Sequence, residues 1–168
     1  MKRMKTKGLN KYLKAHIVPL VIGPNKKLYL IDHHHFARAC WEIGYKHVLT
    51  KVVADFSKVS LRLFWEMMLE NKWVYPYDQH GEVVSMMYHL PENVKGLADD
   101  PYRSLAWMVR EEGGFAKVDV PFSEFYWGNF FRHHMKKHPR VDGYDVCVKE
   151  AIQLCKSKAA SKLPGFKK

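Results

Sequence analysis

The stretch Leu28-Tyr-Leu-Ile-Asp32-His33-His34-His35-Phe36-Ala37-Arg38-Ala39-Cys40-Trp41-Glu42-Ile43-Gly44 decides how the chain folds. Its apolar opening, ending at Ile31, predicts a strand. Asp32 is placed as a helix cap, and His33 to Ile43 predicts the helix, closed by Gly44. The chain therefore turns from strand to helix on a cluster of histidines. Backbone N–H groups in a helix's first turn favour an anion, and three imidazoles with Arg38 one turn on supply donors or bases. This is the outline of a phosphate or nucleotide site.

Upstream, residues 17–22 (Ile-Val-Pro-Leu-Val-Ile) are β-rich, with Pro19 suited to an edge or strand end, and residues 23–27 turn the chain into a hairpin with 28–31. Downstream, residues 48–54 predict a third strand. Residues 58–70 have helical apolar spacing with Ser57 as cap, and residues 73–81 form an aromatic, turn-rich loop. Residues 91–97 predict a short helix. A stronger one starts at Asp99-Asp100-Pro101 and runs to about Glu112, before Gly113-Gly114. Ser123 is expected to cap a helix carrying Phe125, Tyr126, Trp127, Phe130 and Phe131 as a core stripe, with Pro139 ending the element. Residues 142–161 predict a last helix, and Pro164-Gly165 with its lysines a tail.

The 168 residues suffice for one hydrophobic core, and 47% apolar content argues against general disorder. Lys and Arg number 28 against 17 Asp and Glu, a formal charge of +11 that favours an anionic partner such as nucleic acid, a nucleotide or an acidic membrane surface. Much of the excess crowds the two ends, so a merely soluble basic protein is the plainer alternative. Cys40, Cys147 and Cys155 form no close metal-ligand pair and are expected to be reduced. No apolar run approaches a membrane span or a signal peptide, so a soluble cytoplasmic protein is expected, with no membrane partner.

Three consecutive histidines cannot converge on one metal from a regular helix, because neighbours point about 100° apart. His134 and His138 are four apart but lack a metal-site motif, so no protein-bound metal is expected. Mg²⁺ carried in by a nucleotide is more plausible than a tightly held cofactor. For chemistry, His34 and His35 can act as base or acid, with Asp32 as orienter or Mg²⁺ contact. His33, Arg38, Arg103, Asp100, Tyr77 and Asp78 are candidates for binding a phosphate or nucleotide. Arg103 reads equally as a salt-bridge partner of Asp99 or Asp100, and Tyr75 and Tyr77 read more readily as core and rim packing than as ligand stackers. Cys40 lies inside an apolar helix face and is a poor nucleophile.

The segment from Ile31 to Ala39 is followed by Trp65, by Trp73 with Tyr75-Pro-Tyr-Asp78, by Asp99-Asp-Pro-Tyr-Arg-Ser-Leu-Ala-Trp107, and by Phe125, Trp127, Phe130 and Phe131. This succession resembles the ParB-like nuclease family, over roughly residues 15–135. The resemblance implies the superfamily of ParB amino-terminal domains, sulfiredoxin and the free-serine kinases, whose nucleotide phosphates meet the strand-to-helix box. ParB takes a cytidine nucleotide there, and the other two take adenosine nucleotides. Some members carry Asp-Gly-His-His-Arg at the box. By that comparison Asp32, His34 and His35 match, His33 replaces the glycine, Phe36 replaces the arginine, and Arg38 looks like a later box arginine. Sulfiredoxin chemistry needs a box cysteine, which is absent between Asp32 and Ala39. ParB reads its DNA sites through a helix-turn-helix domain, whereas one long helix is expected after residue 140.

The fold expected is α+β, a ParB/sulfiredoxin-like single domain with a small mixed sheet surrounded by helices. Residues 1–14 would form a basic arm, 15–138 the domain, and 139–168 a helix and basic tail packed on it. The function expected is phosphate-ester chemistry at the histidine box, as a nuclease or a nucleotide-dependent phosphotransferase. Two alternatives stand beside it: a non-catalytic module binding a nucleotide or nucleic acid, and a protein-interaction or toxin-like module with structural histidines.

Overall fold

A computed structural model of the chain describes residues 12–167. It is an α+β fold with a three-stranded mixed sheet and several helices. The chain forms two compact units that interleave in sequence: the first runs to Pro76 and adds Ser85–Leu97, and the second takes Tyr77–Val84 and everything from Ala98. The expected amino-terminal arm falls largely on residues 1–11, outside those described.

In the first unit, β1 (Val18–Ile22) is the central strand, antiparallel to β2 (Leu28–Leu30) and parallel to β3 (Thr50–Asp55). The β1–β3 register slips between Leu20 and Val21, a local irregularity within the parallel pair. Pro19 lies second in β1, so the strand-end reading holds and the edge reading does not. Its carbonyl still accepts from Ile31 N–H at 3.2 Å. A Cβ on Gly23, at the hairpin turn, would come within 2.5 Å of the Tyr29 ring and 2.9 Å of Phe64, so the turn closes directly onto the core.

Helix α1 (His34–Glu42) follows β2, and α2 (Leu61–Glu70) follows β3. The cap of α2 is Ser60, whose side chain accepts from Leu63 N–H, not the expected Ser57; Ser57 instead donates its N–H to Asp55 Oδ1 at 2.9 Å. A short helix, α3 (Met86–His89), and a 3-10 turn at Val94–Gly96 complete this unit, the latter standing where a short helix was expected. Val21, Phe64 and Met68 form the buried core, with Tyr29, Phe56, Trp65 and Trp73 around them.

The second unit is helical. Helix α4 (Pro101–Glu111) starts as the sequence predicts: Asp100 Oδ1 accepts from Tyr102 N–H and Arg103 N–H, and Pro101 occupies the first turn. Helix α5 (Ser123–His134) begins differently from expectation. Ser123 is its first residue, and the cap is Phe122 in the left-handed region at φ 62°. Pro139 does not terminate α5, which ends at His134; it opens a one-turn helix, α6 (Pro139–Asp142). The last helix, α7 (Tyr144–Cys155), is shorter than expected.

Residues after α7 are not a loose tail. A 3-10 turn at Lys158–Ala160 folds the chain back, Trp127 Nε1 donates to Pro164 O at 2.7 Å, and Ala116 N–H donates to Gly165 O at 2.7 Å. Leu163 and Phe166 pack against a core of Leu105, Val109, Phe115, Trp127, Phe131 and Cys147. Phe115 stacks on Trp127 at 4.3 Å. The apolar spacing of Ala160, Leu163 and Phe166 brings one face of the fold-back inward, which outweighs the tail-like Pro-Gly and lysines.

Candidate functional site

The box in the first unit is built by one backbone event. His33 takes the left-handed conformation, φ 59° and ψ 28°, and becomes the cap of α1 in place of the expected Asp32. Asp32 sets the preceding turn: its Oδ1 accepts from His33 N–H at 2.6 Å. The left-handed region disfavours residues with a Cβ, and His33 occupies the place that the resembled box gives to glycine.

Ala37 N–H is bonded to His33 O, so the N–H groups of His34, His35 and Phe36 precede the regular helical ladder. His34 Nε2 donates to Leu30 O at 3.1 Å, tying the ring back to β2. A carbonyl can only accept, so in the neutral ring Nδ1 carries the lone pair. His35, in the same turn, is exposed. Arg38 is mostly committed within its own unit: Nε pairs with Glu42 at 2.8 Å, and Nη1 donates to Val94 O at 3.2 Å and Lys95 O at 2.7 Å. It fastens α1 to the 3-10 turn and lies over the Trp41 ring at 5.2 Å.

Beside the box, Tyr12 and His16 stack at 4.0 Å, and His16 lies 5.4 Å from Phe36 and 6.1 Å from His33 between ring centroids. Phe36, where the resembled box has arginine, is thus an aromatic packing residue. His33 Nδ1 is buried with no hydrogen-bond partner among the described residues. Neither His16 nor this cluster was singled out by the sequence, because nothing local connects residue 16 to residues 33 and 36.

The remaining expected binding residues lie in the second unit. Asp78 organises its loop: Oδ1 accepts from Glu82 N–H at 2.9 Å and His80 N–H at 2.8 Å. These N–H groups, Glu82's foremost, hold its carboxyl below the usual carboxylate range. Tyr77 makes an isolated bridge to Val83 across the loop. Arg103 lies 5.8 Å from the Phe125 ring, while the carboxylates expected to pair with it also serve other arginines: Asp100 pairs with Arg132 at 2.7 Å and Asp99 with Arg140 at 3.0 Å. Arg132 also donates to Asn129 Oδ1 and lies 5.2 Å from the Tyr102 ring.

These contacts frame a cleft of about 320 Å³ whose lining includes His80, Tyr102, Arg132, His138 and Arg140. His138 Nδ1 accepts from Arg140 N–H, and its ring stands edge-on to Tyr102 at 5.4 Å. Each arginine here is matched by a carboxylate, so the cleft carries no large uncompensated charge. Arg132 and Arg140 were not foreseen, since each meets its carboxylate across more than thirty residues of chain. His134 closes α5 and His138 caps α6, so their spacing of four is not one helix face.

Cys40, Cys147 and Cys155 are free and buried. Burial pushes the Cys155 thiol up to about 12, and it raises Cys40 and Cys147 as well. Among the described residues no group of three or more His, Cys, Asp or Glu could hold a metal ion, and no helix is long and apolar enough to cross a membrane.

The profile of the family described as "Putative ParB-like nuclease" matches residues 1–133. Among solved structures, the chain is similar to the crystal structure of protein Atu1540 from Agrobacterium tumefaciens. The two are 43% identical with a TM-score of 0.84, over 90% of this chain and 77% of that one. A search of curated proteins finds no match.

Proposed function

The chain belongs to the ParB-like nuclease family, and from that premise we propose that it carries out phosphate-ester chemistry at the box between β2 and α1. The observation carrying this reading is His34, whose ring is fixed through Nε2 on Leu30 O at the start of a helix. In phosphodiester hydrolysis, Nδ1 of His34 takes a proton from the attacking water as oxygen bonds to phosphorus. His35 returns a proton to the leaving oxygen as the old P–O bond breaks. The first-turn N–H groups of α1 stabilise the phosphoryl oxygens. Arg38, its Nε and Nη1 engaged, contributes charge and holds the helix. Asp32 is the exposed box carboxylate that suits Mg²⁺ brought by a nucleotide, which would neutralise phosphate charge.

The test is turnover of bis(4-nitrophenyl) phosphate, a labelled single-stranded oligonucleotide, ATP and CTP, each with Mg²⁺, by the wild-type chain and by His34→Ala and His35→Ala. Loss of about 100-fold or more in either folded variant is expected. Undiminished turnover in the double variant removes both roles.

A second reading is nucleotide or nucleic-acid binding without turnover. It is favoured by His34 and Arg38 both donating to backbone carbonyls. Under it, the same variants change affinity and no product forms.

A further inference from the structure

The fold-back after α7 carries lysines and no acids. Residues 151–168 contain five lysines and no Asp or Glu. Lys156, Lys158 and Lys162 are exposed, and among the described residues none of them makes an ion pair. Lys156 caps the end of α7, Lys158 opens the 3-10 turn and Lys162 lies just beyond it, so the three fall within seven residues of a tight reversal. Lys149, two helical turns before Lys156, lies on the same stripe of α7.

This surface is fixed in place. Ala160 is fully buried, Leu163 and Phe166 face the core, and Pro164 O and Gly165 O are each bonded at 2.7 Å. The 320 Å³ cleft contrasts with it, because both cleft arginines are neutralised by carboxylates.

We propose that the Lys156–Lys158–Lys162 reversal binds the phosphate backbone of a nucleic-acid strand. Unpaired ammonium groups gain by releasing the counterions of a polyphosphate, and they need no matched geometry to do so. An acidic lipid surface fits less well, because the segment's apolar side chains are turned inward and leave little to insert. An acidic peptide fits less well too, because acidic-motif recognition relies on the bidentate fork of arginine clusters, and residues 151–168 carry lysines and no arginine. The proposal is independent of any chemistry at the histidine box.

The experiment is fluorescence anisotropy of a labelled twenty-nucleotide single strand with the full chain across a salt series. K156Q/K158Q/K162Q is compared with K27Q/K46Q/K51Q, three exposed lysines of the first unit, and thermal midpoints confirm folding of both. The expected result is at least tenfold weaker binding by the first variant at low salt. Its salt slope should be shallower by about 2, the loss of three contacts at roughly 0.7 each. The control should stay within twofold of wild type. Equal losses in both variants, no loss in the first, or tighter binding of phosphatidylserine vesicles or polyglutamate than of the strand each overturns the proposal. Turnover of bis(4-nitrophenyl) phosphate by the same variants reads the box separately.

Discussion

One oxygen of Asp100 serves both a helix start and an ion pair: Oδ1 caps Tyr102 N–H and Arg103 N–H, and it also receives Arg132 Nη2 at 2.7 Å. Both side chains are mostly buried, Asp100 at 11% exposure and Arg132 at 16%. Losing the carboxylate removes a cap and strands a guanidinium.

Asp100→Asn keeps an acceptor for the cap while losing the charge, whereas Asp100→Ala loses both. The expected order of stability is wild type, then Asn, then Ala, with Ala costing about 2–4 kcal/mol. Urea unfolding of the three proteins checks it, and Asn falling below Ala would remove the capping argument.

His33 predicts an unusual tolerance. Its left-handed backbone costs roughly 1 kcal/mol relative to glycine, and its Nδ1 is buried with no hydrogen-bond partner among the described residues. His33→Gly should therefore stay within about 1 kcal/mol of wild type. His33→Val, β-branched at the same backbone angle, should cost at least about 1–2 kcal/mol. Thermal midpoints of the pair decide it.

Gly128 lies where α5 meets α4. A Cβ there would stand 3.1 Å from Arg103 N and 3.2 Å from Tyr102 C, both backbone atoms that cannot rotate away. Gly128→Ala gains helix propensity but must push the helices apart, for a net loss of about 1–3 kcal/mol. Measured stabilisation would show that the contact yields freely.

Asp78 gives a pH dependence. The Glu82 and His80 N–H groups lower its carboxyl in the folded chain, so the unfolded chain binds that proton first as pH falls. The loop's contribution is present above the ordinary Asp range near 4 and is lost as pH drops through the lower folded value. NMR titration of the Asp78 carboxyl should give a midpoint below that of an unfolded-chain Asp. Protection of the His80 and Glu82 amides against exchange, taken relative to their intrinsic rates at each pH, should fall as Asp78 protonates, and Asp78→Asn should flatten that pH response.

What could be read from sequence was what local chemistry dictates. Asp100-Pro101 announces its helix because cap and first turn are consecutive residues, and the hairpin from Val18 to Leu30 comes from two short apolar, β-rich runs around Gly23-Pro24. Caps made by left-handed residues were missed. Neither His33 nor Phe122 favours that conformation, and nearby Asp32 and Ser123 are better caps by type. The histidine box was placed by its residues, but Arg38's attachment to Val94 and Lys95 depends on contacts more than fifty positions away. The arginine–carboxylate cleft was hidden for the same reason, and the docked fold-back because its lysines and Pro-Gly outweighed the spacing of its apolar residues.

The fold-back also bears on the timetable of synthesis. The first unit has all its parts once Leu97 has been made, whereas the second, begun at Tyr77, lacks the backbone acceptor for the Trp127 indole until Pro164 emerges. On a ribosome adding about 5–20 residues per second, Trp127 and Phe115 must wait several seconds with their closing contacts missing. A stall shortly before residue 164 would leave the Trp127 indole without its Pro164 acceptor and the stacked Phe115–Trp127 pair without Leu163 and Phe166 against the core.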